Sequence, residues 1–200
     1  YVASNGDTIW SYPRNSNYKR YLVGIGRDDA SGLDQRMSVI QRVKSGLDYT
    51  GNDDNLLHSD LIAIGLDTIT TLNTNHPKRF VNNNSFLLWG CDNGSVEYTR
   101  NITGSTGVKV NKRIGRVYRA WEKGTIGTVM VRIPSTISHG QKLYLVISSD
   151  TAFNSSDKFV ELKTLIDEDN KPGYLYCKVD FNNGEYFSIA TFKGFPGGVS

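Results

Sequence analysis

The stretch Leu22-Val-Gly-Ile-Gly-Arg-Asp-Asp-Ala-Ser-Gly-Leu-Asp-Gln35 decides the fold class, because a short apolar strand runs directly into a charged turn. Leu22, Val23 and Ile25 supply the apolar side chains, and the glycines between them let another backbone approach closely. Arg27, Asp28 and Asp29 then place three charges at the end of the strand. Such a cluster either orders a turn or binds a ligand.

The same pattern occurs twice more along the chain. Leu61 to Asp67 and Phe86 to Asp92 each read as an apolar strand followed by glycine, one residue and aspartate. One interpretation is that each glycine leaves its strand at an unusual φ and each aspartate caps the turn. The other is that some of these carboxylates converge on a cation at one rim of the fold, and a second candidate for calcium is the group from Asp150 to Asp157, whose oxygens follow a later strand end. The candidate metal ligands are Asp28, Asp29, Asp67, Asp92, Asp150 and Asp157.

Composition supports an all-β protein. The 200 residues include 20 Gly and 11 Tyr, and 38% hydrophobic content is sufficient for one sizeable core. About ten predicted strands separated by turn signals, with little helix, favour an antiparallel β-sandwich or jelly roll. We expect one domain over residues 1–193, with two half-domains split near 103–107 as the alternative, and a linker or the start of another module at 194–200.

Individual strands are predicted from alternation and turn residues. Residues 1–10 are expected to form a first strand or an extended arm, and 37–43 an edge strand. The segments 159–165 and 174–181 are expected to pair as a hairpin, with Cys177 facing inward. Cys91 and Cys177 are the two cysteines, and the sequence leaves open whether they form a disulfide or remain buried thiols.

Charge and hydropathy exclude several function classes. The net charge of +3 is small, and the 23 basic residues of the chain are scattered along the sequence. Nucleic-acid binding is therefore not expected. Apolar runs are far shorter than the roughly 20 residues that a membrane helix needs, so no direct membrane insertion is expected.

Catalytic motifs are absent from the sequence. The three histidines lack partners at a catalytic or metal-binding spacing, and strand glutamates such as Glu122 and Glu185 give only weak support for a glycosidase pair. We therefore expect no enzymatic activity. Arg27 and Arg119 are expected to form ion pairs with nearby aspartates. The alternative is that arginine binds carbohydrate together with exposed Tyr or Trp side chains, among which Trp121 lies close to Arg119 in sequence.

Several segments together resemble a domain that recurs in giant surface proteins of gliding bacteria with type IX secretion. They are 1–10, 23–35, 86–90, 119–128 and 183–187. In that family the domain commonly follows a laminin-G-like domain. Cys91 departs from the family, in which a polar residue is usual.

This resemblance implies a secreted, non-enzymatic, adhesive or structural module on the bacterial cell surface, with neighbouring modules, copies of itself or surface glycans as partners. It supplies no cofactor. It also implies O-glycosylation at Asp-Thr-apolar triplets, for which the candidates are Thr8, Thr68 and Thr151. Two alternatives remain: a fibre subunit that assembles by strand addition from either end of the chain, and a carbohydrate-binding module.

Overall fold

The computed structural model describes residues 1–39, 62–70, 72–164 and 173–194 and consists of β-strands joined by turns. The strands are β1 (Arg20–Asp28), β2 (Leu33–Gln35), β3 (Met37–Val39), β4 (Ala63–Leu66), β5 (Ser85–Cys91), β6 (Arg100–Asn101), β7 (Lys112–Arg113), β8 (Tyr118–Lys123), β9 (Val129–Pro134), β10 (Leu143–Ser148), β11 (Lys158–Leu162), β12 (Tyr174–Val179) and β13 (Tyr186–Thr191). Short 3-10 turns lie at Ser16–Tyr18, Asn73–Asn75 and Ser135–Ser138. The predicted loop 48–58, most of the turn 167–173 and the tail 195–200 lie outside the described residues.

Two antiparallel sheets form the sandwich, which confirms the predicted fold class. The large sheet has the order β11-β10-β13-β8-β5-β1-β2, with β6 and β7 attached beside β13. The small sheet has the order β12-β9-β4-β3. Thirteen described strands exceed the ten expected because four of them, β2, β3, β6 and β7, are only two or three residues long. The described residues contain no helix of the length and hydropathy needed to cross a bilayer.

The core lies between the sheets and is built by period-two alternation. Leu87, Trp89 and Cys91 of β5 face the small sheet, together with Tyr118 of β8 and Phe187 of β13. All of these are almost completely buried, and each large apolar side chain contributes about 1.5–3 kcal/mol to folding. Cys177 faces the same core, as predicted, and Val179 and Phe181 lie there with it.

Backbone contacts join the two sheets at both sides of the sandwich. On one side Arg36 carries the chain from β2 into β3, and its carbonyl accepts a hydrogen bond from the Leu66 amide. On the other side Lys163 and Tyr176 exchange two backbone hydrogen bonds of 2.8 Å. The predicted hairpin of 159–165 with 174–181 is therefore wrong. These strands lie in different sheets and meet at one bridge, because β11 pairs with β10 and β12 pairs with β9.

The N-terminal segment is not the extended arm that the sequence predicts. Val2 and Thr8 form an isolated bridge around the Asn5-Gly6-Asp7 turn, where Gly6 has φ +85°. The terminal ammonium donates to the Trp10 carbonyl at 3.0 Å. Trp10 is 1% exposed and packs in one cluster with Phe86 and Leu88 on the outer face of the large sheet. Burial of this indole holds the segment on its own domain.

In both sheets, a strand that precedes residues 103–107 pairs with a strand that follows them. β5 pairs with β8 in the large sheet, and β4 pairs with β9 in the small sheet. The residues before and after this region also share the central core. Any division there would separate paired strands.

Candidate functional site

The three Gly-x-Asp corners need glycine for close packing rather than for an unusual φ. Gly26, Gly65 and Gly90 all lie inside strands, and none of them has a positive φ. A Cβ atom would lie 2.1 Å from the Tyr18 carbonyl oxygen at Gly90 and 2.0 Å from the Thr68 carbonyl oxygen at Gly65. The predicted strand exit through φ is therefore wrong. These glycines instead admit close contacts, from the crossing backbone of Tyr18 at Gly90, the following turn at Gly65 and the Phe86 ring at Gly26.

The six candidate metal ligands hold separate parts of the structure. Asp92 accepts from the amides of Gly94 and Val117, while Asp150 and Asp157 accept from the amides of Ala152 and Asn154. These three aspartates cap loops, and for Asp92 this is the role that the turn-capping interpretation of the Gly-x-Asp corners predicts.

The other three carboxylates pair with side chains of their surroundings. Asp28 accepts two hydrogen bonds from Ser4, which lower its pKa, and Asp29 pairs with Arg27. Asp67 pairs with Lys178 at 2.6 Å, and this hydrogen bond lowers its pKa. Among the described residues no three His, Cys, Asp or Glu side chains form a group suited to a metal ion. The predicted convergence of carboxylates on calcium is not observed there.

Of the two predicted ion-pairing arginines, only Arg27 forms the pair. Its Nε and Nη2 donate to the two carboxylate oxygens of Asp29 at 2.7 and 2.9 Å. Arg119 instead donates from Nη1 to the Arg14 carbonyl at 2.9 Å, and its guanidinium lies between two aromatic rings. The predicted pairing of Arg119 with a rim aspartate is wrong, because register places Arg119 opposite Tyr186.

These rings and Arg119 form what we call the aromatic row: Tyr18, Tyr186, Arg119 and Trp121. The guanidinium carbon is 5.0 Å from the Tyr186 ring centroid and 5.3 Å from that of Trp121. The Tyr18 and Tyr186 centroids are 5.4 Å apart. All four side chains are half-buried on the outer face of the large sheet. Such contacts are worth about 0.5–2 kcal/mol each and fix the arginine against the rings.

Three segments position the aromatic row. Residues 11–18 cross over Gly90 and bring Tyr18 onto the sheet, while β8 presents Arg119 and Trp121 on alternate positions. The turn 182–185 lies against both Arg119 and Trp121. A Cβ at Gly184 would be 3.6 Å from Arg119 Nη2 and 3.9 Å from the Trp121 ring. Arg119 Nε is buried and has no hydrogen-bond partner in this arrangement. The row therefore contains one unused donor beside two aromatic faces.

Sequence analysis identified Arg119 and Trp121 but missed Tyr18 and Tyr186. The adjacency of β13 and β8 joins residues that are more than sixty positions apart, and no local signal encodes it. Burial raises the pKa of the Tyr18 hydroxyl, and neighbouring Tyr186 adds to the increase.

The glutamates that could suggest a glycosidase pair have backbone partners. Glu122 Oε1 accepts from the Ile126 amide at 2.7 Å, and Glu185 Oε2 accepts from the Asn182 amide at 2.7 Å. Burial raises the pKa of Glu122, and Asp180 and Glu185 act in the same direction. These contacts stabilise the turn that follows β8 and the turn that precedes β13.

Both cysteines are thiols in the structure, so the disulfide alternative is not observed. Cys91 is 0% exposed in the large sheet and Cys177 is 6% exposed in the small one. Burial raises the pKa of Cys177 to about 12.

The predicted glycan acceptors differ in accessibility. Thr8 and Thr151 are exposed, whereas Thr68 is half-buried. Modification at these three positions stays a prediction.

The fold and its outer-face row define a compact antiparallel β-sandwich domain whose large sheet is covered by its own N-terminal segment. Residues 1–185 match a family described as a domain of unknown function, DUF8202, and the chain belongs to that family. No curated protein matches the chain. No solved structure matches it either.

Proposed function

We propose that this domain is a non-enzymatic adhesive module of an exported bacterial surface protein, and that it binds a glycan at the aromatic row. The observation that carries this proposal is the half-buried arrangement of Tyr186, Arg119 and Trp121, which join aromatic faces to a positioned guanidinium. The surface location and the modular context rest on the sequence resemblance to giant type IX-secreted proteins.

The chemistry of the row suits a sugar. Aromatic faces bury the C–H faces of pyranose rings, and arginine donates hydrogen bonds to hydroxyl oxygens in a fixed geometry. The row is also already assembled, because packing holds Tyr18 and Tyr186 and the Arg14 carbonyl holds Arg119. A preformed site loses little conformational entropy when a ligand binds.

Strand addition from the N-terminal segment is not part of this proposal. That segment is folded around its own turn and anchored by Trp10, so it presents no extended strand to a neighbour. Two of the sheet edges, β2 and β3, are three residues long, which limits the number of backbone hydrogen bonds that they could offer.

A printed glycan array tests the proposal with two arginine variants, one in the aromatic row and one in a similar arginine–tyrosine pair on the other sheet. Arg119→Ala removes the arginine of the row. Arg132→Ala is the control, because Arg132 lies 4.5 Å from the Tyr174 centroid in an equivalent arginine–tyrosine pair on the small sheet. Both variants lose one positive charge, and Arg119→Ala loses two cation–π contacts where Arg132→Ala loses one.

We expect the wild-type protein and Arg132→Ala to bind the same glycans with the same affinity, while Arg119→Ala binds at least tenfold more weakly. Circular dichroism and thermal unfolding of both variants establish that the fold is retained. Absence of glycan binding by the wild-type protein would contradict the proposal, as would equal binding by the two variants.

A further inference from the structure

A cavity of about 360 Å³ opens on the outer face of the large sheet, between the end of β6 and the loop that follows β10. Two of its lining residues, Ile102 and Phe153, are buried and belong to the outer apolar cluster that Tyr18 and Tyr186 of the aromatic row pack against. The volume is at the lower end of the range for small-molecule sites, which suits one sugar unit. The lining residues are all uncharged, and they are Asn101, Ile102, Thr103, Phe153, Asn154 and Ser155.

The apolar wall of this cavity is held by an unusual backbone conformation. Phe153 has a φ of +45°, which bulky L residues rarely adopt. The amides on either side of it are both bound, because Ala152 donates to Asp150 Oδ1 at 2.7 Å and Asn154 donates to Asp157 Oδ2 at 2.6 Å. Strain of this kind persists where the surrounding contacts enforce it. The loop thereby fixes an aromatic ring in the wall of the cavity.

The two asparagines of the lining are oriented by donors outside the cavity. Asn101 Oδ1 accepts from Lys112 Nζ at 2.6 Å. Asn154 Oδ1 accepts from the amide and the hydroxyl of Ser156 at 2.9 and 2.6 Å. Because an ammonium and a backbone amide can only donate, each contact identifies the oxygen end of its side-chain amide. Within the part of the chain that the structure describes, neither Nδ2 group has a hydrogen-bond partner.

These contacts make the lining richer in donors than in acceptors. Both asparagine oxygens are occupied, while the exposed hydroxyls of Thr103 and Ser155 can donate or accept. A ligand of this cavity must therefore supply an acceptor oxygen together with an apolar group for the Phe153 wall. A cationic ligand is disfavoured, because the ammonium of Lys112 lies beside Asn101.

We propose that this cavity binds the acetamido group of an N-acetylhexosamine. The carbonyl oxygen of that group accepts from the side-chain amides of Asn101 and Asn154, and its methyl group packs on Ile102 and Phe153. An acetamido group meets both requirements of the lining, since it joins a strong acceptor to an apolar methyl and carries no charge. This inference rests on the proposed function and deepens it: the aromatic row binds the glycan, and the cavity selects an N-acetylated sugar within it.

The test is an array on which each N-acetylhexosamine glycan is printed beside the same glycan with a hydroxyl in place of the acetamido group, and beside its free amine. Asn101→Asp and Asn154→Asp each keep the oxygen that Lys112 or Ser156 binds and replace the amide donor with an acceptor. Asn82→Asp is the control, because Asn82 is exposed, is not a lining residue and gains the same charge. Thermal unfolding of the three variants establishes that the fold is retained, and the use of two sites keeps the test decisive if one variant does not fold.

We expect the wild-type protein and Asn82→Asp to bind N-acetylated glycans about tenfold more tightly than their hydroxyl and amine counterparts. Asn101→Asp and Asn154→Asp each lose about tenfold in affinity for the N-acetylated glycans and bind the hydroxyl counterparts as the wild-type protein does. Equal binding of the N-acetylated and hydroxyl forms, or N-acetyl binding that neither variant alters, would overturn the inference while leaving glycan binding at the aromatic row intact. Absence of any glycan binding would instead overturn the proposed function and this inference with it.

Discussion

The substitution Gly90→Ala is the sharpest test of how the Gly-x-Asp corners are built. An added Cβ would lie 2.1 Å from the Tyr18 carbonyl oxygen, whereas a relaxed carbon–oxygen contact is about 3.3 Å. The obstructing atom belongs to the backbone, so the segment around Tyr18 must move by about 1 Å. That shift disturbs the packing of Tyr18 on Tyr186 and the hydrogen bond from Arg119 to Arg14.

The expected cost follows from these contacts. Overpacking of a well-packed site costs about 1–3 kcal/mol, and the lost hydrogen bond adds about 1 kcal/mol. Reduced entropy of the unfolded chain returns about 0.4–1 kcal/mol. Gly90→Ala is therefore predicted to lower the free energy of unfolding by about 1–3.5 kcal/mol.

Urea denaturation followed by tryptophan fluorescence measures this change, since Trp10 and Trp89 are both buried. The matched control is Gly194→Ala, where the nearest atom outside the adjoining residues would be Phe192 Cε1 at 4.0 Å, and a change within about 0.5 kcal/mol is expected. If Gly90→Ala unfolds within that same margin of the wild-type protein, the packing explanation of these glycines is refuted.

Three further predictions concern thiols, pH and modification. Because the pKa of Cys177 is raised to about 12, a thiol reagent at pH 8 should label neither cysteine of the native protein quickly and both after unfolding without reductant; failure to label the unfolded protein would indicate a disulfide. The pKa values of Asp28 and Asp67 lie below the ordinary 3.8, so their contribution to stability is present above pH 3.8 and is lost as the pH falls through the lowered values; acid titration should show this loss for the wild-type protein and a smaller one for Asp28→Asn. Intact-mass measurement on the protein from its natural host should show added glycan mass, and a bare polypeptide mass would contradict glycosylation at Thr8, Thr68 and Thr151.

The strands that sequence analysis predicted best are those with long apolar runs or clear alternation. β5 follows directly from the run Phe86 to Trp89, and the inward face of β12 from Cys177 and Val179. Short strands such as β6 and β7 were missed, because two residues held by neighbouring strands carry no periodic pattern of their own.

Errors in the predicted site arise from long-range pairing. The aspartates of the three corners share a sequence pattern but end strands that face different neighbours, so they do not meet. Arg119 was predicted to pair with an aspartate, yet its partner is decided by which strand lies beside β8. The predicted hairpin of β11 with β12 is wrong for the same reason. The two strands are neighbours in sequence but lie in different sheets.

The most direct test of glycan binding at the aromatic row uses the three indole N–H signals in an NMR titration. Trp121 is half-buried in the row, whereas Trp10 and Trp89 are buried elsewhere and serve as internal controls. The protein is titrated with the array glycan that binds most tightly. The account predicts that the Trp121 indole signal shifts in a saturable manner while the other two remain in place. An unchanged Trp121 signal at saturation, or the absence of any array glycan to titrate, would contradict it.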